Sequence, residues 1–280
     1  MSTLIPLPFE VQGARRPIVT WILIIANFVI FLYFYVQGPQ VFNEAIRGLG
    51  MIPNYILKGE RLYTLVTSMF MHGDWMHIIG NMLYLYVFGC PLEVRLGRLR
   101  FLVLYLACGL SASIIHIAVE TFFAEPLIIY NPYGKPEVLD PLQIPCIGAS
   151  GAISGLLGAY LNFFPHSQLR LLTFFLLLPI TITLPASLFI IIWFLYQLWM
   201  GLLSIVANFF AGVAFWAHIG GFVAGWLATI AALRSTRRIR VVYYRGRIWY
   251  EIPVEAQSSP ELRCSISHNI YAKPNLVNLA

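Results

Sequence analysis

Apolar residues fall in long runs along this chain, with polar residues and prolines gathered between them. A membrane-spanning helix needs roughly 20 apolar residues. The runs that approach this length are Ile18 to Val36, Met76 to Cys90, Phe101 to Phe122, Ile147 to Phe164, Pro185 to Ala207 and Gly212 to Leu233. The pattern predicts an all-α, polytopic membrane protein with six transmembrane helices. One stretch is ambiguous: Leu169 to Ala207 is almost continuously apolar but broken by Pro179 and Pro185, so it fits one span plus an interfacial segment, or two spans. Residues 37–75 and 123–146 form the longest loops, the second proline-rich and read as irregular. In the polar tail, Ile239 to Ile252 alternates β-formers around Arg245-Gly246, a hairpin signal. No internal repeat is evident.

Composition agrees with the pattern. Hydrophobic residues make up 59% of the chain and charged residues 11%, with a mean hydropathy of +0.75, more than a soluble core of this size needs. Charge resolves the ambiguous stretch. With six spans, Arg15 and Arg16, then Arg95, Arg98 and Arg100, then Arg170, then Arg234, Arg237, Arg238, Arg240, Arg245 and Arg247 fall on one side, against Arg47, Lys58, Arg61 and Lys135 on the other. Seven spans would put the C-terminal arginine cluster outside, against the positive-inside rule. The expected organisation is therefore a cytoplasmic segment 1–17, a six-helix domain 18–233 with external loops at 37–75 and 123–146, and a basic cytoplasmic tail 234–280. Leu169 to Leu184 then lies along the inner face. Clustered arginines beside a cytoplasmic leaflet each gain up to about 1 kcal/mol from anionic headgroups, so membrane lipids are expected partners and nucleic acid is not. No Asn-x-Ser/Thr site occurs, which favours a bacterial or organellar membrane over a secretory one; of these a bacterial inner membrane is the expectation. Cys90, Cys108, Cys146 and Cys264 show neither metal-ligand spacing nor a disulfide framework.

Helical rise, about 1.5 Å per residue, turns sequence position into depth. Counted from the cytoplasmic side, Ser150 lies about 22 Å above Pro165 and His218 about 24 Å above Arg234. Helix two descends toward Glu93, placing Asn81 about 18 Å and His77 about 24 Å above it. Four polar side chains from three helices thus share one layer, and His77 and Asn81, four residues apart, share a helix face. Each has a plain structural reading. Gly148-Ala149-Ser150-Gly151 fits a close-packing face, as do Gly221 and Gly225; a histidine inside a span can be a hydrogen-bonded structural group, and Asn81 can bridge two helices. Their coincidence at one depth points instead to a site. A serine hydroxyl needs a base within hydrogen-bond reach, and His218 is the candidate at the right depth. No acidic third partner is evident, since Asp74 and Asp140 sit in or beside external loops and Glu93 and Glu120 near opposite membrane faces. A Ser-His dyad is expected rather than a triad. An aspartyl protease would need two aspartates inside spans and a zinc protease a His-Glu-x-x-His helix, and neither pattern occurs.

The chain resembles the rhomboid intramembrane serine proteases. The matching residues are His72-Gly-Asp-Trp-Met-His77-Ile-Ile-Gly-Asn81, Glu93-Val-Arg-Leu-Gly97, Gly148-Ala-Ser150-Gly151 and Ala217-His218-Ile-Gly-Gly221-Phe-Val-Ala-Gly225. The resemblance implies a six-helix bundle in which Ser150 is the nucleophile and His218 its general base. It implies that His77 and Asn81 complete an oxyanion hole with the Ser150 N–H, with no cofactor and no metal. It implies single-pass transmembrane proteins as substrates, cleaved in or beside their spans. Gly148, Gly151, Ser154, Gly221 and Gly225 are expected to pack around this site or hydrogen-bond near it. Two positions depart from the family pattern: Tyr63-Thr64 replaces a Trp-Arg pair in the first external loop, and Ser154 stands where many relatives carry an aromatic ring against the histidine. The alternative function is a catalytically silent relative that binds membrane clients.

Overall fold

The computed structural model describes residues 5–7, 16–130, 136–175, 178–207, 212–235, 240–244, 247–251 and 276–277. The chain divides into two compact units, Met1–Thr229 and Ile230–Ala280.

In hydrocarbon every backbone N–H and C=O must find a partner inside its own segment, so even runs rich in Ile, Val and Phe become helices. The first unit is built on α1 (Ile18–Tyr35), α7 (Arg98–Phe123), α8 (Ser150–Phe163), α9 (Ala186–Val206), α10 (Phe215–Ser235, whose last turn enters the second unit) and a helix in pieces. That interrupted helix runs from α5 (Trp75–Tyr84) through a π-helical turn, Leu85–Gly89, into α6 (Cys90–Leu96). Pro91 removes a backbone donor there, and the wider turn accommodates the missing bond. Among the described residues, α1, α7 and α9 are long and apolar enough on their own to cross a membrane. Their outer faces expose Trp21, Ile22, Ile25, Val103, Ile114, Ile191, Ile192 and Trp199, an apolar surface suited to lipid. Inside, Phe31, Phe88, Phe101, Tyr105, Leu156 and Leu157 are fully or almost fully buried.

Helix α8 carries the seam that brings the bundle together. A β-carbon on Gly221 would strike the Gly151 carbonyl, and one on Gly225 the Gly155 carbonyl. The backbones of α8 and α10 are therefore in direct contact, which only glycine allows. Below the seam, Asn162 Nδ2 donates to the Trp226 carbonyl and to Thr229 Oγ1, each at 2.8 Å. A second tie joins the bottom of the interrupted helix to α1. Buried Glu93 accepts from Val19 N–H at 2.9 Å, Thr20 N–H at 2.7 Å and Thr20 Oγ1 at 2.8 Å, which satisfies first-turn donors that Pro17 cannot cap.

Three segments are more regular than the sequence pattern predicts. Residues 37–75 hold α2 (Pro39–Leu49), α3 (Pro53–Leu57), α4 (Thr64–Thr67) and the 3-10 turn Ser68–Phe70. Residues 123–146, read as irregular, contain the antiparallel pair β2 (Leu127–Tyr130) and β3 (Pro136–Leu139). The ambiguous stretch after α8 is a hairpin of β4 (Gln168–Phe175) and β5 (Leu178–Pro185), registered Gln168↔Pro185 through Phe175↔Leu178. Strand β1 (Ile5–Leu7) adds to β4 antiparallel. Pro179 and Pro185 oppose a helix there, while Ile180-Thr181-Ile182-Thr183 favours a strand; an open sheet leaves edges unpaired, so the hairpin does not cross the membrane. In the second unit, β6 (Arg240–Tyr244) pairs β7 (Arg247–Glu251), and β8 (Leu276–Val277) pairs β7. This is the hairpin that the tail pattern predicts, with its turn, Arg245-Gly246, outside the described residues.

Candidate active site

Ser150 is the first residue of α8, so its N–H and those just after it have no carbonyl one turn earlier to bond. The positive end of that helix dipole points where Ser150 lies. At 14 residues, α8 rises about 21 Å, less than the roughly 30 Å of a bilayer core. His218 is in the first turn of α10, and the glycine seam brings it to α8: His218 Nε2 lies 2.8 Å from Ser150 Oγ. The opposite ring nitrogen, Nδ1, lies 2.8 Å from Oε1 of Gln197 on α9. The Trp193 ring, one turn earlier on α9, is tilted 37° to the imidazole with centroids 6.0 Å apart.

His77 approaches from α5. Asp74 caps that helix by accepting from the His77 N–H at 2.8 Å, and the Gly73 N–H donates to His77 Nδ1 at 3.3 Å. A neutral imidazole whose Nδ1 accepts carries its proton on Nε2. Gly148 explains why the ring fits: its φ is +117°, and a β-carbon there would lie 2.7 Å from His77 Nε2 and 3.6 Å from Ser150 Oγ. His77, Ser150 and His218 line one cavity of about 390 Å³ together with Ser68, Gly148 and Ala217. Asn81 is not among its walls; it is buried one turn further along α5, where Nδ2 donates to the His77 carbonyl at 2.9 Å. Ser154 is also buried, and its hydroxyl donates back to the Ser150 carbonyl at 2.6 Å. Gly151 meets Ala112 of α7, while Gly221 and Gly225 form the α10 side of the seam.

The sequence reading missed Gln197, Trp193 and His116. Gln197 was within reach of the depth ruler, since it lies about 18 Å above Pro185, level with Asn81. Trp193 carries no signal in so apolar a helix. His116 Nδ1 lies 3.5 Å from Glu120 Oε1 beside a second cavity, about 330 Å³, that shares His77, Asp74 and Cys146 with the first. Outside the spans, buried His72 sits 5.0 Å ring to ring from His77, and burial lowers its pKa to about 3, leaving it neutral. Among the described residues no three His, Cys, Asp or Glu side chains converge as a metal site.

A membrane-embedded helical bundle with a serine and a histidine in hydrogen-bond contact at a shared cavity defines the class. The rhomboid-domain family model matches residues 59–235, more than half the chain, and the chain belongs to the rhomboid family. It is 34% identical over 175 residues to RHOMBOID-like protein 12, mitochondrial, of Arabidopsis thaliana, covering 60% of this chain and 48% of that protein. It is 29% identical over 147 residues to the putative rhomboid protease YdcA of Bacillus subtilis, 52% and 61% of the two chains. It is 28% identical over 146 residues to the rhomboid protease GluP of the same organism, 52% and 24%. The chain spans about half the length of the first of these relatives. Family membership makes it an integral membrane protein of a protease family.

Proposed function

We propose that this protein is a serine endopeptidase that hydrolyses peptide bonds in or near the transmembrane segments of membrane proteins, using Ser150 and His218. The observation that carries the reading is the 2.8 Å contact between His218 Nε2 and Ser150 Oγ. In the Nδ1–H tautomer, Nε2 takes the hydroxyl proton as Oγ attacks the scissile carbonyl, then returns it to the leaving amine. Negative charge on the carbonyl oxygen develops beside the N-terminus of α8. The Ser150 N–H and His77 Nε2–H, at the cavity that both residues line, are the donors for it, and Asn81 keeps a second amide N–H while holding the His77 carbonyl. Water then attacks the acyl-enzyme through the same base.

The two adjoining cavities support binding of an extended chain on either side of the scissile bond. Both termini lie in the cytoplasm, six segments cross a bacterial inner membrane, and single-pass proteins are the substrates. The test is cleavage of a generic single-pass substrate in liposomes by wild type, Ser150→Ala and His218→Ala, beside labelling with a fluorophosphonate. Cleavage and labelling should vanish in Ser150→Ala and fall steeply in His218→Ala. Cleavage that survives in Ser150→Ala refutes the reading, and a wild type silent toward cleavage and label makes the client-binding alternative the better one.

A further inference from the structure

We propose that Gln197 is the positioning residue of His218: its amide oxygen holds the imidazole in the Nδ1–H tautomer, with Nε2 free to accept from Ser150. This deepens the Ser-His reading and rests on it. Helix α9 is otherwise almost wholly apolar, yet Gln197 is buried with 5% exposure. A primary amide placed there without a partner is unfavourable. Its Oε1 meets His218 Nδ1 at 2.8 Å while Nε2 meets Ser150 Oγ at 2.8 Å. An acceptor at Nδ1 requires the proton on Nδ1, and so leaves a lone pair on Nε2 directed at the hydroxyl.

The arrangement also accounts for Ser154. A hydroxyl spent on the Ser150 carbonyl at 2.6 Å leaves the residue without a ring to lay against His218. Helix α9 supplies the support in its place, with Trp193 beside the imidazole and Gln197 at its far nitrogen, four residues apart on one face. A neutral amide orients the base without adding charge, so its contribution lies in tautomer and direction.

The experiment combines kinetics with a spectroscopic readout. Gln197→Met keeps the length and removes the acceptor; kcat should fall by about tenfold to a hundredfold with KM nearly unchanged, because the lost interaction serves the proton transfer. Gln197→Glu keeps an acceptor oxygen in either charge state and should retain kcat within about threefold of wild type, well above Gln197→Met. Nitrogen-15 NMR of histidine-labelled protein, with the His218 signals assigned by their loss in His218→Ala, should show His218 as the Nδ1–H tautomer in wild type and as a mixture in Gln197→Met. The NMR result does not need an active enzyme, so it separates this proposal from the Ser-His reading. A wild-type His218 protonated on Nε2 overturns it, as does an unchanged kcat in Gln197→Met or a Gln197→Glu variant as impaired as Gln197→Met.

Discussion

Single atoms decide whether Ser150 can act in the proposed role. The Gly73 N–H fixes which nitrogen of His77 is protonated, and the missing side chain at Gly148 leaves that nitrogen room beside Ser150. A donor serving a developing oxyanion acts in the transition state more than in the ground state. His77→Ala should therefore lower kcat by about a hundredfold or more, roughly 3 kcal/mol, with KM little changed. Steady-state kinetics on a single-pass substrate check this, and a change confined to KM would remove His77 from the chemistry. At this scale the sequence was informative where depth sufficed: Ser150, His218 and His77 all reach one cavity. It was silent on direction. Asn81 is buried one turn along α5 from His77, but its amide is engaged with the backbone of its own helix, and rise per residue says nothing about where an amide points.

Between elements, the Ser150–His218 distance depends on how closely α8 and α10 approach. Gly221→Ala places a methyl group against the Gly151 carbonyl, and the helices must part to admit it. A displacement of about 1 Å at a reacting pair can cost about a hundredfold in rate, and overpacking costs typically 1–3 kcal/mol. Gly221→Ala should show both losses, in turnover and in thermal midpoint. Gly48→Ala is the control: Gly48 lies in α2 with nothing within 4 Å of its added carbon, so activity should hold and stability rise by up to about 1 kcal/mol. Glycine spacing made this seam legible in advance, because Gly-x-x-x-Gly has a single physical use in a span. The β4–β5 hairpin was less so: threonine between isoleucines reads as apolar to a hydropathy window, and only the two prolines and β-branching separate strand from helix there. Helices as short as α3 and α4, five and four residues, fall below the length at which periodicity speaks, and α2, at 11 residues, only just reaches it.

Across the whole molecule, burial is uneven. Of the three helices among the described residues that are long enough to span alone, α7 has 39% of its most apolar window buried in the protein and α9 only 17%. Most of α9 thus faces outward, and its exposed Leu188, Ile192, Leu195 and Trp199 form an apolar surface suited to lipid. Yet this loosely held helix carries both side chains that touch His218 from behind. Regions with few buried contacts open at lower free energy than the core that surrounds them. Warming should therefore misalign the base before the bundle melts: activity should be lost, reversibly at first, at a temperature where circular dichroism still reports intact helices. Coincident midpoints for activity and helicity would show α9 to be as firmly held as the rest. The temperature range over which the proposed activity survives is then set by the grip on one helix, and lipids that press α9 inward would extend it with no change in the sequence.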